Sequence, residues 1–114
     1  MASSISSARW PRTLDRINVV YPPTKLDGAR VVTFAVLEGI KPSGSTIHRS
    51  QDGVLPPPRA LAICQYPDDG GWYLFYCDGH WNVLTDTLHT SEAEAKRQAE
   101  FEFEGVGALW RHAV

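Results

Sequence analysis

The sequence predicts a single small α+β domain, in which an antiparallel meander sheet of about four strands packs against one C-terminal helix. Three observations support this prediction. A chain of 114 residues with 43% apolar and 21% charged residues has the size and composition of one globular domain. Residues 60–89 alternate β-forming runs with short turns, and residues 92–104 are strong helix formers that follow a capping sequence.

Three runs of β-forming residues define the centre of the predicted sheet. Residues 30–38 (RVVTFAVLE) are β-branched and aromatic, and both of their faces are apolar, which is typical of a central strand. Residues 60–66 (ALAICQY) and 71–77 (GWYLFYC) flank the turn sequence Pro-Asp-Asp-Gly, and they read as a hairpin.

The length of that turn fixes the predicted pairing of the hairpin and the fate of the two cysteines. A four-residue loop places Cys64 opposite Tyr73 and Cys77 opposite Ala60. The two sulfur atoms then lie several rows apart, whereas a disulfide requires Cα atoms within about 7 Å. We therefore expect two free thiols.

The dipeptide Asp78-Gly79 predicts a second, tighter hairpin, because a type I′ turn favours residues that adopt positive φ. Such a two-residue turn places Tyr76 opposite Trp81. The face under the helix then carries large apolar side chains: Trp72, Leu74, Tyr76, Trp81 and Val83, joined by Leu61 and Ile63. The other face carries Tyr73, Phe75, Cys77, His80, Asn82 and Leu84. We expect this second face to be covered by residues 13–38 or by a second subunit in a homodimer.

The predicted helix begins at a capping box, in which Ser91 and Glu94 satisfy backbone N–H groups of the first turn. One stripe at helical spacing is apolar and should face the sheet. Its members are Ala95, Ala99, Phe103, Val106 and Trp110. Gly105 and Gly107 are expected to end the helix.

The remaining segments are less regular. Residues 1–12 are Ser-rich and read as a flexible tail, so the predicted domain covers residues 13–114. Residues 13–21 fit either a short strand or a helical turn. Residues 39–59 are rich in Gly, Pro and Ser and form a long loop, a feature that is often either functional or disordered.

Charge and hydropathy exclude several classes of function. The net charge of −2 and the pI near 6.0 argue against nucleic-acid binding, which needs a basic surface. No apolar run approaches the roughly 20 residues that cross a bilayer. The N-terminus lacks the apolar stretch of a secretory signal, so we expect a cytoplasmic protein.

The helix carries the candidate partner-binding residues. Phe101 projects away from the apolar stripe and could anchor a partner, since aromatic residues are favoured at interface hot spots. Glu94, Glu100 and Glu104 belong to an acidic face that would complement a basic protein partner. The alternative interpretation is a solvated helix surface with one exposed ring.

Cys77 and His80 are the candidate catalytic residues, because they flank the Asp-Gly turn on the same predicted face. A histidine beside a cysteine can generate a thiolate nucleophile. The alternative is a packed thiol beside a surface imidazole. The other Cys and His residues stand alone, and no phosphate-binding Gly-rich motif occurs, so we expect no metal and no cofactor.

From Leu61 to Trp110 the chain resembles a group of small uncharacterised bacterial proteins. The residues that carry the resemblance are AICQYPDDGGWYLFYCDGHWNVLTDTLH followed by SEAEAKRQAEFEFEGV. The resemblance implies an antiparallel sheet followed by a helix, and it brings no catalytic residue with it. Immunity proteins that neutralise toxins include chains of this architecture, which is an analogy of fold only.

Two functional hypotheses follow from the sequence. The first is a non-enzymatic protein–protein interaction module that acts through the acidic helix and Phe101, with an immunity-like toxin antagonist as its narrower form. The second is a small thiol-dependent hydrolase that uses Cys77 and His80, with the loop at 39–59 as a lid. Reactivity and accessibility of Cys77 distinguish the two.

Overall fold

The computed structural model of the chain describes residues 21–43, 49–50, 53–54 and 56–113. The predicted tail at 1–12, nearly all of the segment 13–21 and part of the loop 39–59 lie outside these ranges. The described elements, in chain order, are β1 (Lys25–Leu26), β2 (Ala29–Val36), β3 (Arg49–Ser50), β4 (Gly53–Val54), β5 (Ala60–Gln65), β6 (Trp72–Cys77), β7 (Val83–His89), helix α1 (Glu92–Glu102), a 3₁₀ turn (Val106–Ala108) and β8 (Arg111–His112).

The main sheet is antiparallel and has the order β1-β2-β5-β6-β7, with β8 pairing to β2 beside β1. The predicted α+β class, with a meander sheet and a C-terminal helix, is confirmed. In the part of the chain that the structure describes, the sheet has six strands, two more than predicted. The two extra strands, β1 and β8, have only two residues each, which is too short for a recognisable sequence pattern. The strands β3 and β4 form a separate two-stranded pair within the predicted loop at 39–59.

Strand β2 is central, as its sequence predicts, with β5 on one side and β1 and β8 on the other. Its two faces enter two different apolar clusters. Phe34 is buried on one face, and Ala35 is buried on the face that packs under α1. A β-bulge between Val31 and Thr33 shifts the pairing with β5 by one residue, and a bulge of this kind bends the strand.

The cluster under the helix has the composition predicted for β5, β6 and the helix stripe. Its buried members are Leu61, Ile63, Leu74, Tyr76, Ala95, Ala99, Phe103 and Val106, with Ala35 of β2 and Leu37, which directly follows β2. Ala95 and Ala99 are small enough to bring α1 close to the sheet, and Phe103 fills the space beside Tyr76, with ring centroids 6.5 Å apart. Full burial of each large apolar side chain contributes about 1.5–3 kcal/mol.

The predicted pairing of β5 with β6 is confirmed, since Cys64 lies opposite Tyr73 and Ala60 opposite Cys77. Both cysteines are free thiols, as predicted, and both are buried. They belong to the second cluster, on the face of the sheet away from α1.

The predicted pairing of β6 with β7 is wrong. Tyr76 lies opposite Thr85, not Trp81, and Cys77 lies opposite Val83, not His80. Five residues, 78–82, connect the two strands, and a further bulge at the Tyr76–Cys77 step adds one residue on β7. Trp81 and Val83 therefore pack against the second cluster, on the opposite side of the sheet from Tyr76.

The turn adopts this form because the side chain of Asp78 binds the backbone that follows it. Its Oδ1 accepts hydrogen bonds from the N–H groups of His80 and Asn82, at 2.8 and 2.9 Å, and its Oδ2 accepts one from the Asn82 side chain at 3.0 Å. Gly79 does not adopt positive φ. Trp81 does so instead, with φ 65°. Its ring packs edge-on against the Phe34 ring, with the two ring centroids 5.9 Å apart.

The helix begins as predicted and ends two residues early. The Ser91 hydroxyl accepts a hydrogen bond from the Glu94 N–H at 3.0 Å, and the helix ends at Glu102. Gly105 adopts φ 96°, a left-handed conformation that glycine reaches at little cost, and the chain continues as the 3₁₀ turn. This turn keeps Val106 on the buried stripe, where the sequence pattern placed it.

Candidate partner-binding surface

The residues that the sequence proposes for partner binding lie on α1 and, for Glu104, just beyond its end, and the structure gives them different roles. Glu94 belongs to the start of the helix. Its carboxylate accepts a hydrogen bond from the Thr90 N–H at 2.9 Å and lies 3.6 Å from Nδ1 of His89. The hydrogen bond from Thr90 is the main reason that the pKa of Glu94 is lowered. The carboxylate is therefore engaged by the residues just before the helix, and it bonds Thr90 rather than the first-turn N–H that the capping box predicts.

Glu100 stabilises the chain that follows the helix. Its two carboxylate oxygens accept hydrogen bonds from the N–H groups of Gly105, at 2.6 Å, and Gly107, at 3.0 Å. A carboxylate with two backbone donors holds the 3₁₀ turn against the helix end. The sequence signal for this role is a glutamate followed by glycines five and seven positions later, and its meaning appears only in the folded turn.

Glu102 is the acidic residue whose position the sequence did not reveal. It is 3% exposed, and Oε2 accepts hydrogen bonds from the Tyr76 hydroxyl at 2.6 Å and from the Gln98 side chain at 2.5 Å. Burial and then the bond to Glu102 raise the pKa of Tyr76 above its usual range. Buried polar groups require such partners, so this contact fixes the helix on the sheet instead of presenting charge to a partner.

The polar contacts beneath the helix continue along β7. The Thr87 hydroxyl hydrogen-bonds to the Tyr76 hydroxyl and lies 2.8 Å from Nε2 of His89, whose other ring nitrogen faces Glu94. The network therefore links Glu102, at the end of the helix, to Glu94 in its first turn. Since its central hydroxyl, on Tyr76, is buried, the network serves packing and orientation.

Phe101 and Glu104 remain on the surface at the C-terminal end of the helix. Phe101 is 58% exposed, as predicted for a residue away from the stripe, and Glu104, in the turn that follows the helix, is also exposed. Among the described contacts Glu104 has no hydrogen bond or ion pair. Ser43 anchors the neighbouring segment, because its hydroxyl donates to the Phe101 carbonyl at 3.0 Å and its N–H donates to the Glu102 carbonyl at 2.7 Å.

The structure does not bring Cys77 and His80 together as a catalytic pair. Cys77 is fully buried, while His80 is exposed in the turn. Burial, followed by the charge of Asp78, raises the pKa of the Cys77 thiol to about 12, which keeps it protonated near neutral pH. A nucleophilic cysteine needs a thiolate and access to substrate, and Cys77 has neither. The thiol-hydrolase interpretation therefore loses its nucleophile.

The second face of the sheet is also less open than the sequence suggested. Phe75 is fully buried within the single chain, and Tyr73 is half-buried, with its hydroxyl donating to Asp69 at 2.6 Å. A dimer is therefore not needed to cover Phe75, and self-association stays a prediction. Within the described ranges, no group of three or more His, Cys, Asp or Glu side chains is arranged to hold a metal ion.

No family model, curated protein or solved structure matches the chain. None of the helices in the described part of the chain has the length and apolar character that a membrane-spanning helix requires. The functional argument therefore depends on the surface at the end of α1.

Proposed function

We propose that the protein is a non-enzymatic protein-binding module, and that the C-terminal end of α1 binds a partner with a basic surface. The residues at the centre of this surface are Phe101 and Glu104, with Glu100 beside them. The observation that carries the proposal is an exposed aromatic ring in the last turn of α1, followed three residues later by an exposed carboxylate that has no partner among the described residues.

The charges of the helix favour this location over the rest of α1. All four glutamates of α1 have internal partners: Glu92 pairs with Lys96 at 3.4 Å, and Glu94, Glu100 and Glu102 make the contacts described above. Glu104 has none among the described residues. It also lies just beyond the C-terminal end of α1, where the negative end of the helix dipole disfavours a carboxylate by a few tenths of a kcal/mol or more.

A basic partner would turn these unfavourable charges into attraction. Acidic groups at an interface raise the association rate with a basic surface, and an aromatic ring in a partner pocket supplies the binding free energy. The exposed Phe101 ring is suited to the second role, because its backbone is held on both sides, by the helix and by Ser43.

The test compares surface variants in a capture experiment from a native cell extract, followed by binding kinetics with the purified partner. Phe101→Ser should weaken binding about 30-fold, the effect of losing a hot-spot residue. Leu88→Ser is the matched control, since Leu88 is a similarly exposed apolar residue on β7, 61% exposed, and binding should be unchanged.

A charge reversal tests the electrostatic part. Glu104→Lys should slow association at low ionic strength, and the difference from the unaltered protein should shrink at high salt. Glu38→Lys makes the same charge change at an exposed residue outside α1 and should have a smaller effect. A partner that binds Phe101→Ser and Glu104→Lys as tightly as the unaltered protein would rule out this surface.

A narrower form of the proposal is an immunity-like role, in which the basic partner is a toxin that the protein neutralises. The support for it is the small α+β architecture and the acidic binding surface. Co-expression of the captured partner with the unaltered protein should restore cell growth, and co-expression with Phe101→Ser should not. A captured partner that is harmless when expressed alone would exclude the toxin-antagonist role while leaving the binding module intact.

A further inference from the structure

A cleft of about 360 Å³ opens at the end of the sheet where the β1–β2 turn meets the β5–β6 loop. This volume lies within the range of small-molecule sites. The cleft is lined by Lys25, Gly28 and Arg30 on one side and by Gln65, Tyr66, Pro67 and Asp69 on the other. It is made by different elements from the Phe101 surface on α1.

Two cations face each other across neighbouring strands at this cleft. Lys25 of β1 lies directly opposite Arg30 of β2, and Arg30 in turn lies opposite Gln65 of β5. Side chains at directly opposite positions of an antiparallel pair extend from the same face, and like charges in that arrangement destabilise the sheet. The row therefore places two positive charges and one amide donor side by side.

Neither cation is neutralised by a residue in the part of the chain that the structure describes. Both side chains are exposed, and among the described residues neither Lys25 nor Arg30 makes an ion pair or a side-chain hydrogen bond. An arginine fork suits two oxygens of one phosphate group, and a lysine adds a compact charge to it.

The carboxylates near the cleft are already occupied. Asp69 accepts hydrogen bonds from the Tyr73 hydroxyl at 2.6 Å and from the Gly71 N–H at 2.8 Å, and these bonds lower its pKa. Asp27 accepts a hydrogen bond from the Tyr66 hydroxyl at 3.3 Å. The charges that line the cleft sum to +1, from two cations and one carboxylate, in a protein whose net charge is −2.

We infer that this cleft binds a small molecule through a phosphate group, with Arg30 and Lys25 contacting the phosphate oxygens and Gln65 donating a further hydrogen bond. Residues of the β5–β6 loop, Tyr66 and Pro67 among them, line the part of the cleft where the rest of a small ligand would lie. The cleft is thus a ligand site independent of the proposed partner surface.

The test follows binding of inorganic phosphate by backbone amide NMR, with chloride holding the ionic strength constant. Phosphate should shift the resonances of residues 25–30 and 65–69 in a saturable manner. Lys25→Gln/Arg30→Gln should weaken binding about tenfold or more, the effect of losing hydrogen bonds to charged groups. This variant should remain folded, because it removes a like-charge pair from the sheet.

Lys41→Gln/Arg59→Gln is the matched control, because it removes two exposed cations elsewhere and changes the net charge equally. It should bind phosphate like the unaltered protein, and acetate should bind the unaltered protein more weakly than phosphate does. The inference is overturned if phosphate produces no saturable shifts or if the two double variants respond alike. Acetate that binds as well as phosphate would overturn the assignment of the phosphate group.

Discussion

Two turns of this protein share the dipeptide Asp-Gly and fold in opposite ways. At Asp27-Gly28 both residues have positive φ, 51° and 83°, and the strands pair on either side of a two-residue turn, with Leu26 opposite Ala29. At Asp78-Gly79 neither residue has positive φ, and five residues connect the strands. The left-handed position falls on Trp81.

The difference lies in what each aspartate side chain contacts. Asp78 is followed four residues later by Asn82, whose backbone and side chain both donate to it, so its carboxylate organises the wider turn. Asp27 has no such neighbour. Its carboxylate instead accepts a hydrogen bond from the hydroxyl of Tyr66, which follows β5. The residues flanking an Asp-Gly dipeptide therefore decide whether the tight turn forms.

Burial of Trp81 adds to the same outcome. Trp81 is 9% exposed and packs edge-on against Phe34 in the second cluster. A two-residue turn would have placed this ring on the helix side, where Tyr76 already fills the space. The free energy of burying the ring exceeds the cost of one bulky residue at positive φ, which is on the order of 1–3 kcal/mol.

The largest expected effect comes from removing that ring. Trp81→Ala should lower the free energy of unfolding by about 3–5 kcal/mol, as for other buried aromatic residues, and chemical denaturation measures the change. A loss below 1 kcal/mol would show that the turn, and not the packing of Trp81, determines this side of the core.

Replacing each of the two glycines by alanine tests the difference in backbone conformation between the two turns. Gly28→Ala should cost about 1–2 kcal/mol, because an alanine there is held in the left-handed region, although its Cβ would meet the Tyr66 ring at an ordinary 3.8 Å. Gly79→Ala should be neutral or stabilising by about 0.4–1 kcal/mol, since no atom lies within 4 Å of the position that the alanine Cβ would take. Equal effects in thermal or chemical denaturation would contradict the assignment of different turn types.

The smallest expected effect concerns pH. Hydrogen bonds from the Asn82 side chain and backbone, and then from His80, lower the pKa of Asp78. A carboxyl group whose folded-state pKa is depressed stabilises the protein above its unfolded pKa, near 4, and this contribution disappears as the pH falls through the folded value. Asp78→Asn should therefore be less stable than the unaltered protein at pH 6, and the difference should narrow below pH 4.

Asp27→Asn is the control for that measurement, because it alters a single exposed contact of 3.3 Å. Its stability difference from the unaltered protein should be smaller than that of Asp78→Asn at pH 6. A difference for Asp78→Asn that stays constant down to pH 3 would mean that the Asp78 carboxylate does not stabilise the turn.

The local features that could be predicted are those with a short-range physical cause. The capping box at Ser91 and Glu94 and the apolar stripe through Ala95 and Ala99 depend on residues within a few positions of one another. The pairing of β5 with β6 likewise follows from the length of one loop and from matching apolar faces. The tight turn at Asp27-Gly28 was not predicted, because the strand before it has only two residues and leaves no alternating pattern in the sequence.

The candidate surface could be predicted only in part. Exposure of Phe101 follows from helical geometry, and the structure agrees with it. The partners of the glutamates do not follow, because the glycines bound by Glu100 and the tyrosine bound by Glu102 approach only after the helix packs. For the same reason the cleft at Lys25 and Arg30 was not visible, since β1 and the β5–β6 loop meet only in the folded sheet.

The amino-acid sequence by itself determined the fold class, the helix and its buried stripe, the pairing of β5 with β6 and the separation of the two cysteines. These depend on periodicity, capping and loop length, which act over a few residues. The tertiary structure alone decided the pairing of β6 with β7, the side of the sheet on which Trp81 is buried and the internal roles of Glu100 and Glu102. Each of these balances a local preference against burial and hydrogen bonding to distant residues, and that balance is set only when the helix and sheet pack together.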